Sequence, residues 1–385
     1  MKRLFFSRPI LLALLAGFLL LLAPVIRDGL YSGLLILDVM QPLQEGIFSR
    51  LTSEPLVEGV TYLGQHRLIE ADLYTPKGQG KHGGVILVHG VNEVGKADPR
   101  MIWLARLLSR AGFVVLVPDF LGLKSMKLRT SDIGEMVDSF RYLSSLRDRI
   151  YPERVGLVGF SYGAGPMLIA ATDPRIREQV QFVVSFGGYY DLVNVIRFIT
   201  TGFYEYQGDR SYMRPSDYDR WIFLRYNLDL LSDPRDKAIL AEIAEAKVKV
   251  VETSLLLASL TPEGMAIYNF LANRDPDRVE ALISRLPFAF RQQIELLSPA
   301  RSVQLLQAYV FIVHGEPDPY IPHTESLRLA DALKGKGRYH LGILKTFYHV
   351  RPALPRATLG NILKIYLPEA AKLYLLTYDL LSQLR

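Results

Sequence analysis

Val155-Gly156-Leu157-Val158-Gly159-Phe160-Ser161-Tyr162-Gly163-Ala164-Gly165-Pro166-Met167-Leu168-Ile169-Ala170-Ala171 sets an apolar β-type run, a glycine-flanked serine and a helix-prone run in direct succession. Gly159 to Gly163 matches G-x-S-x-G, and the strand before and helix after supply the context in which that pentapeptide forms a strand-to-helix turn with the serine at its apex. A serine there takes a strained backbone conformation, and glycines beside it let strand and helix approach without a clash. The Ser161 hydroxyl is then presented clear of the sheet. The competing reading is an ordinary serine in a glycine-rich turn, because the pentapeptide alone has many chance matches.

The order of the remaining parts favours the first reading. The apolar run Gly84-Val85-Ile86-Leu87-Val88 ends in His89-Gly90-Val91, which places backbone N–H groups at the carboxyl edge of a sheet. Tyr309 to Val313 runs into His314-Gly315-Glu316-Pro317-Asp318, and the strand pattern from Tyr339 to Thr346 runs into Phe347-Tyr348-His349. The chain order is Ser, Asp, His, each just past a β-type run, where a parallel sheet gathers its ligand-binding loops. A serine hydroxyl is a poor nucleophile at neutral pH and needs an adjacent base, a role suited to imidazole. A carboxylate on the far ring nitrogen fixes the tautomer and stabilises the imidazolium.

With these four motifs in place, the chain resembles the α/β-hydrolase superfamily, and within it the dienelactone-hydrolase-like and prolyl-oligopeptidase-like esterase and peptidase branches. The resemblance covers residues 58 to 385 apart from a middle insertion. It implies a mostly parallel eight-stranded sheet flanked by helices, with Ser161 as nucleophile, His349 as base, Asp318 as orienting acid, and the N–H groups of Val91 and Tyr162 as oxyanion donors. Many dienelactone hydrolases carry a cysteine nucleophile; this chain has no cysteine, so that activity is not inherited.

Other candidates have plainer roles. His66, His82, His323 and His340 read as solvated or structural, and His89 and His314 as buttresses of their loops. Asp119 precedes the serine and reads as a turn residue. Glu316 shares a loop with Asp318 and is its rival as the acid.

At 49% hydrophobic and 22% charged residues, the chain is ample for one α/β core with an added subdomain. A net charge of +6 without a long basic run gives no support to nucleic-acid binding. Lys124, Lys127 and Arg129 read as a solvated loop face. The glycines between Gly78 and Gly84 do not space as a phosphate-binding loop, and H-E-x-x-H is lacking. No cofactor, nucleotide or metal is expected.

Pro9 to Ile26 is uncharged and leucine-rich, and as a helix would extend roughly 27 Å, near the thickness of a bilayer core. Lys2, Arg3 and Arg8 precede it, which predicts a transmembrane helix with a cytoplasmic amino terminus and an extracytoplasmic body. Secretion after signal cleavage is the alternative, against which no A-x-A-like site follows the run. The expected organisation is an anchor over 1–28, a membrane-proximal linker over 29–57, the core over 58–190 and 305–385, and a helical cap over 191–304. The cap pattern places helices at Tyr218 to Leu231, Asp236 to Leu257, Pro262 to Leu271 and Asp277 to Leu286. Its aromatic-rich opening nominates Trp221 and Tyr212 as substrate-binding residues in an apolar pocket. The expected activity is hydrolysis of a small-molecule carboxylic ester, less favourably an amide, through an acyl-enzyme. A serine peptidase of the same fold, or an idle relative binding a lipid or protein, are the alternatives.

Overall fold

The computed structural model describes residues 25–383 except 128, 216 and 250–252; the side chains of residues 217–219, 222, 223 and 254 also lie outside the description. Most of the expected transmembrane run therefore falls outside the described residues. Among the described residues, no helix is long and apolar enough to cross a membrane.

One sheet of eight strands organises the core. Its members are β1 (Leu56–Leu63), β2 (Leu68–Thr75), β3 (His82–Val88), β4 (Phe113–Pro118), β5 (Ile150–Phe160), β6 (Val180–Phe186), β9 (Tyr309–Gly315) and β10 (Tyr339–Leu344). They lie in the order β1-β2-β4-β3-β5-β6-β9-β10. β2 pairs antiparallel with β1 and β4, and every other pairing is parallel. The central strands are apolar almost without alternation because helices cover both faces; edge strand β1 is largely exposed.

Side chains of successive residues point to opposite faces, so each strand feeds two separate cores. Ile86, Val88, Leu157, Val183 and Ile312 join Met167 and Leu168 of the helix that follows Ser161. Val85, Leu87, Val158, Val184 and Val313 join Leu107 and Leu108 of the helix Pro99–Arg110 and Leu376 of the helix Leu367–Ser382.

The stretch expected to be a linker belongs to this second core. A helix over residues 25–39 buries Leu35, and a short helix Ile47–Leu51 buries Phe48 completely. Asp38 ties the two together by accepting from the backbone N–H groups of Phe48 (3.1 Å) and Ser49 (2.9 Å). Arg110 donates to Ser49 O at 2.6 Å, and Glu54 pairs with Arg106 and Arg110. Leu34 and Leu35 are on the docked face of this helix, while Leu30 and Leu37 stay exposed on its outer side.

The chain between β6 and β9 forms the cap. It begins with the helix Leu192–Thr201, then departs from the helical expectation in a hairpin of β7 (Phe203–Tyr206) and β8 (Asp209–Tyr212). Gln207 and Gly208 turn it, both with positive φ (52° and 90°), the conformation a tight two-residue hairpin turn requires. Helices Asp217–Asn227, Pro234–Val248, Pro262–Ala272, Val279–Ser284 and Phe288–Leu296 follow. They pack around Leu224, Leu240, Ile243, Ile267 and Leu271.

Candidate active site

Ser161 stands at the end of β5 with φ of 52°, in the left-handed region that non-glycine residues seldom occupy. Its flanking glycines are required by space. A Cβ on Gly159 would come 2.9 Å from the Ala164 backbone, and one on Gly163 2.2 Å from the His89 carbonyl oxygen. The turn is thus pressed against the loop after β3. That loop also touches the serine, since a Cβ on Gly90 would lie 3.2 Å from Ser161 Cβ.

His89 holds this loop. The Phe120 N–H donates to His89 Nε2 at 3.3 Å, so Nδ1 carries the proton and donates to Gly90 O at 2.8 Å. Burial pushes the imidazole below its ordinary pKa, which favours this neutral, donor-plus-acceptor form. Val91 and Tyr162, the expected oxyanion donors, border the same cavity as Ser161.

Asp318 lies in the loop after β9 and is wholly buried in its side chain. Its Oδ1 accepts from the N–H groups of Tyr320 (2.9 Å) and Ile321 (3.0 Å). Its Oδ2 accepts from His349 Nδ1 at 2.5 Å and from His314 Nε2 at 3.1 Å. His314 Nε2 faces two acceptors, Asp318 and Ile321 O (3.0 Å), so it carries a proton, and Nδ1 accepts from the Ser326 hydroxyl at 2.7 Å. Burial alone would raise the Asp318 pKa; the hydrogen bonds from His314 and His349 overcome it and hold the carboxyl well below its usual range. Glu316 is placed differently, half exposed with its carboxylate 4.0 Å from His323.

His349 follows the short strand β11 (Phe347–Tyr348) with φ of 56°, a second left-handed non-glycine residue. Tyr320 packs beside the imidazole, ring centroids 5.1 Å apart. Gly187, just past β6, admits the ring: a Cβ there would meet His349 Nδ1 at 3.2 Å and Val350 at 2.9 Å. Among the described residues the Ser161 hydroxyl has no hydrogen-bond partner; Ser161 and His349 both border the cavity. Such contacts commonly tighten only when substrate binds.

The cavity has a volume of about 630 Å³ and runs beneath the cap. Ile196, Phe270, Phe290 and Ile294 form part of its roof. Neither substrate-binding nominee does. Trp221 is 4% exposed and packs inside the cap against Tyr268, while Tyr212 is 58% exposed on the hairpin and meets Phe203. For Trp221 the correction is one of helix facing: Leu224 and Tyr226, on the same helix, reach the cavity instead, while Tyr212 lies on a hairpin strand turned to solvent. Lys127 and Arg129, expected to be solvated, clasp the cap through Asp229 at 2.9 and 2.7 Å. Among the described residues no cluster of His, Asp and Glu is disposed to hold a metal ion.

Two comparisons by sequence return nothing: no family model matches, and no curated protein does. Comparison by structure returns many matches. The uncomplexed acylaminoacyl peptidase of Pyrococcus horikoshii superposes with a TM-score of 0.54 at 14% identity, over 88% of this chain and 43% of that one. Its orthorhombic form gives 0.51 at 13% identity, with the same coverage. The chain has the α/β-hydrolase fold. It spans less than half the length of that peptidase. A Pyrobaculum calidifontis esterase superposes at 0.45 with 15% identity, over 87% of this chain and 88% of that one.

Proposed function

We propose that this α/β-hydrolase-fold chain is a serine hydrolase that cleaves carboxylic esters, with amides the poorer substrate class, and that residues 9–26 hold it at a membrane with its body extracytoplasmic. The observation that carries the catalytic reading is the conjunction of Ser161 at a strained strand-to-helix apex with the His349–Asp318 pair at the edge of one apolar cavity. Ser161 Oγ attacks the acyl carbon as its proton passes to His349 Nε2, the ring nitrogen opposite the one bonded to Asp318. Charge on the carbonyl oxygen is met by the Tyr162 and Val91 N–H groups, a contribution of roughly 3 to 4 kcal/mol per effective donor. His349 returns the proton to the leaving alkoxide, and water repeats the sequence to release the acid. Asp318 stays ionised throughout. The preference for esters rests on the cavity wall, where few polar groups are available to align a peptide backbone.

The test is turnover of p-nitrophenyl esters against peptide p-nitroanilides by the wild type, Ser161→Ala and His349→Ala. Ester turnover abolished in both variants is expected. Peptide turnover that exceeds ester turnover would move the chain to the peptidases, and none of either by folded protein would leave it a binding module.

A further inference from the structure

The catalytic cavity does not end beneath the cap. It continues past Phe160, Phe186 and Phe347 onto the sheet face opposite the helix that follows Ser161. Accessibility along the strands shows the space directly. Val158, Val184 and Val313 retain 5%, 8% and 7% exposure in the middle of the molecule, whereas Leu157, Val183 and Ile312, their neighbours on the other face, are 0%, 0% and 0% exposed. Three helices close this second lobe: 25–39 through Leu35 and Val39, Pro99–Arg110 through Trp103 and Leu104, and Leu367–Ser382 through Leu376 and Leu380.

We infer that this second lobe binds a long alkyl chain carried by the ester, making the substrate a lipid-like ester. The inference rests on the hydrolase reading above and adds the substrate class. An apolar cavity of this kind stays dry and favours an apolar occupant, and continuity with the Ser161 site ties that occupant to the reacting ester. The sheet residues that border it are valines and phenylalanines, and its helical walls contribute chiefly leucine, valine and methionine. The total cavity falls within the roughly 300 to 1,000 Å³ usual for small-molecule sites. One wall is the helix that directly continues the apolar run from Pro9, and its outer side exposes Ile26, Leu30 and Leu37. An alkyl chain held in a bilayer would therefore lie next to the helix that roofs the lobe.

Two p-nitrophenyl or acetyl ester series test this with the full-length protein kept free of detergent in an amphipathic polymer: one lengthens the acyl chain, the other the alkoxy chain. In one of them kcat/KM should rise by up to about fourfold per added methylene until the lobe is full, and which one rises assigns the chain to the acyl or the leaving side. Val39→Trp and Leu35→Trp, outside the catalytic machinery, should abolish the long-chain advantage while acetate ester turnover holds. A binding readout needs no turnover: in Trp221→Phe, Trp103 is the sole tryptophan, and brominated dodecanoic acid should quench it, less so when Val39→Phe is added to narrow the lobe. Length-independent turnover in both series, or no quenching of Trp103, would overturn the inference while leaving the hydrolase reading intact. Absent turnover of every ester, with quenching retained, would instead overturn the hydrolase reading and keep the lobe.

Discussion

Ser161 and His349 both hold left-handed backbone, a conformation that costs of order ~1–3 kcal/mol for a residue with a side chain and persists only where its surroundings fix it. Their meeting in one cavity is the basis for expecting them to act as a unit. Ser161→Ala and His349→Ala should each lower kcat by orders of magnitude, and the double variant should be scarcely worse than either; additive losses would count against a shared step. Asp318→Asn should lower kcat by roughly three to four orders of magnitude through the wrong imidazole tautomer, and Glu316→Gln should change it little. Gly187→Ala combines a left-handed φ of 61°, costly for any residue with a side chain, with a Cβ against His349 and Val350. Its kcat should fall at least about tenfold, since small misplacements of reacting groups cost about that much or more, with KM for an acetate ester nearly unchanged. The serine turn was readable in the sequence because its constraint is local: glycines, a strand and a helix within one short stretch. Gly187 was not, since only the fold brings the end of β6 against His349. Trp221 misled because an aromatic-rich sequence does not say which side of a cap helix faces inward, and Tyr212 because the chain there forms a hairpin strand rather than a helix.

At the scale of elements, the core strands were legible as continuous apolar runs and the order of helices followed from their periodicity. The β7–β8 hairpin was hidden among aromatics, with Gln207-Gly208 its one turn signal. Residues 29–39 of helix 25–39 read as linker because the segment they pack against, around Tyr374 and Leu376, lies at the far end of the chain. The cap is tethered by Asp229, whose carboxylate is half exposed, so the ion pairs to Lys127 and Arg129 are worth about 0–1 kcal/mol each. Asp229→Ala should shift the thermal midpoint little yet speed hydrogen exchange in the Asp217–Asn227 helix; unchanged exchange would show that the clasp does not restrain the cap. At the cap's root, Glu325 accepts from the N–H groups of Tyr190 (3.1 Å) and Asp191 (2.8 Å). Burial pushes its carboxyl up to about 7. The folded state then binds the proton more tightly than the unfolded chain, so stability is fully present below the ordinary glutamate range and declines as pH rises to about 7. Burial holds His82, His89 and His323 below their ordinary pKa, which acts in the opposite sense, so the readout is a difference. In thermal melts from pH 4 to 8 the wild type should lose stability toward pH 7 relative to Glu325→Gln; parallel profiles would refute the assignment. Asp132, buried and likewise raised to about 7, contributes in the same direction and remains in both proteins.

The whole molecule joins an α/β-hydrolase fold to an apolar amino-terminal run through a helix that is part of the core. If residues 9–26 anchor the chain, full-length protein should remain in the membrane fraction after alkaline washing; release into the supernatant, or a mature start near Gly29 by mass spectrometry, would contradict the anchor. The central claim is that the fold makes Ser161 a nucleophile through His349 and Asp318, and covalent labelling reads this without knowledge of the natural substrate. A fluorophosphonate probe followed by peptide mass spectrometry should place a single adduct on Ser161 in the wild type, none in Ser161→Ala, and a much slower one in Asp318→Asn. Folded wild-type protein that stays unlabelled, or that carries the adduct on another serine, would contradict the account.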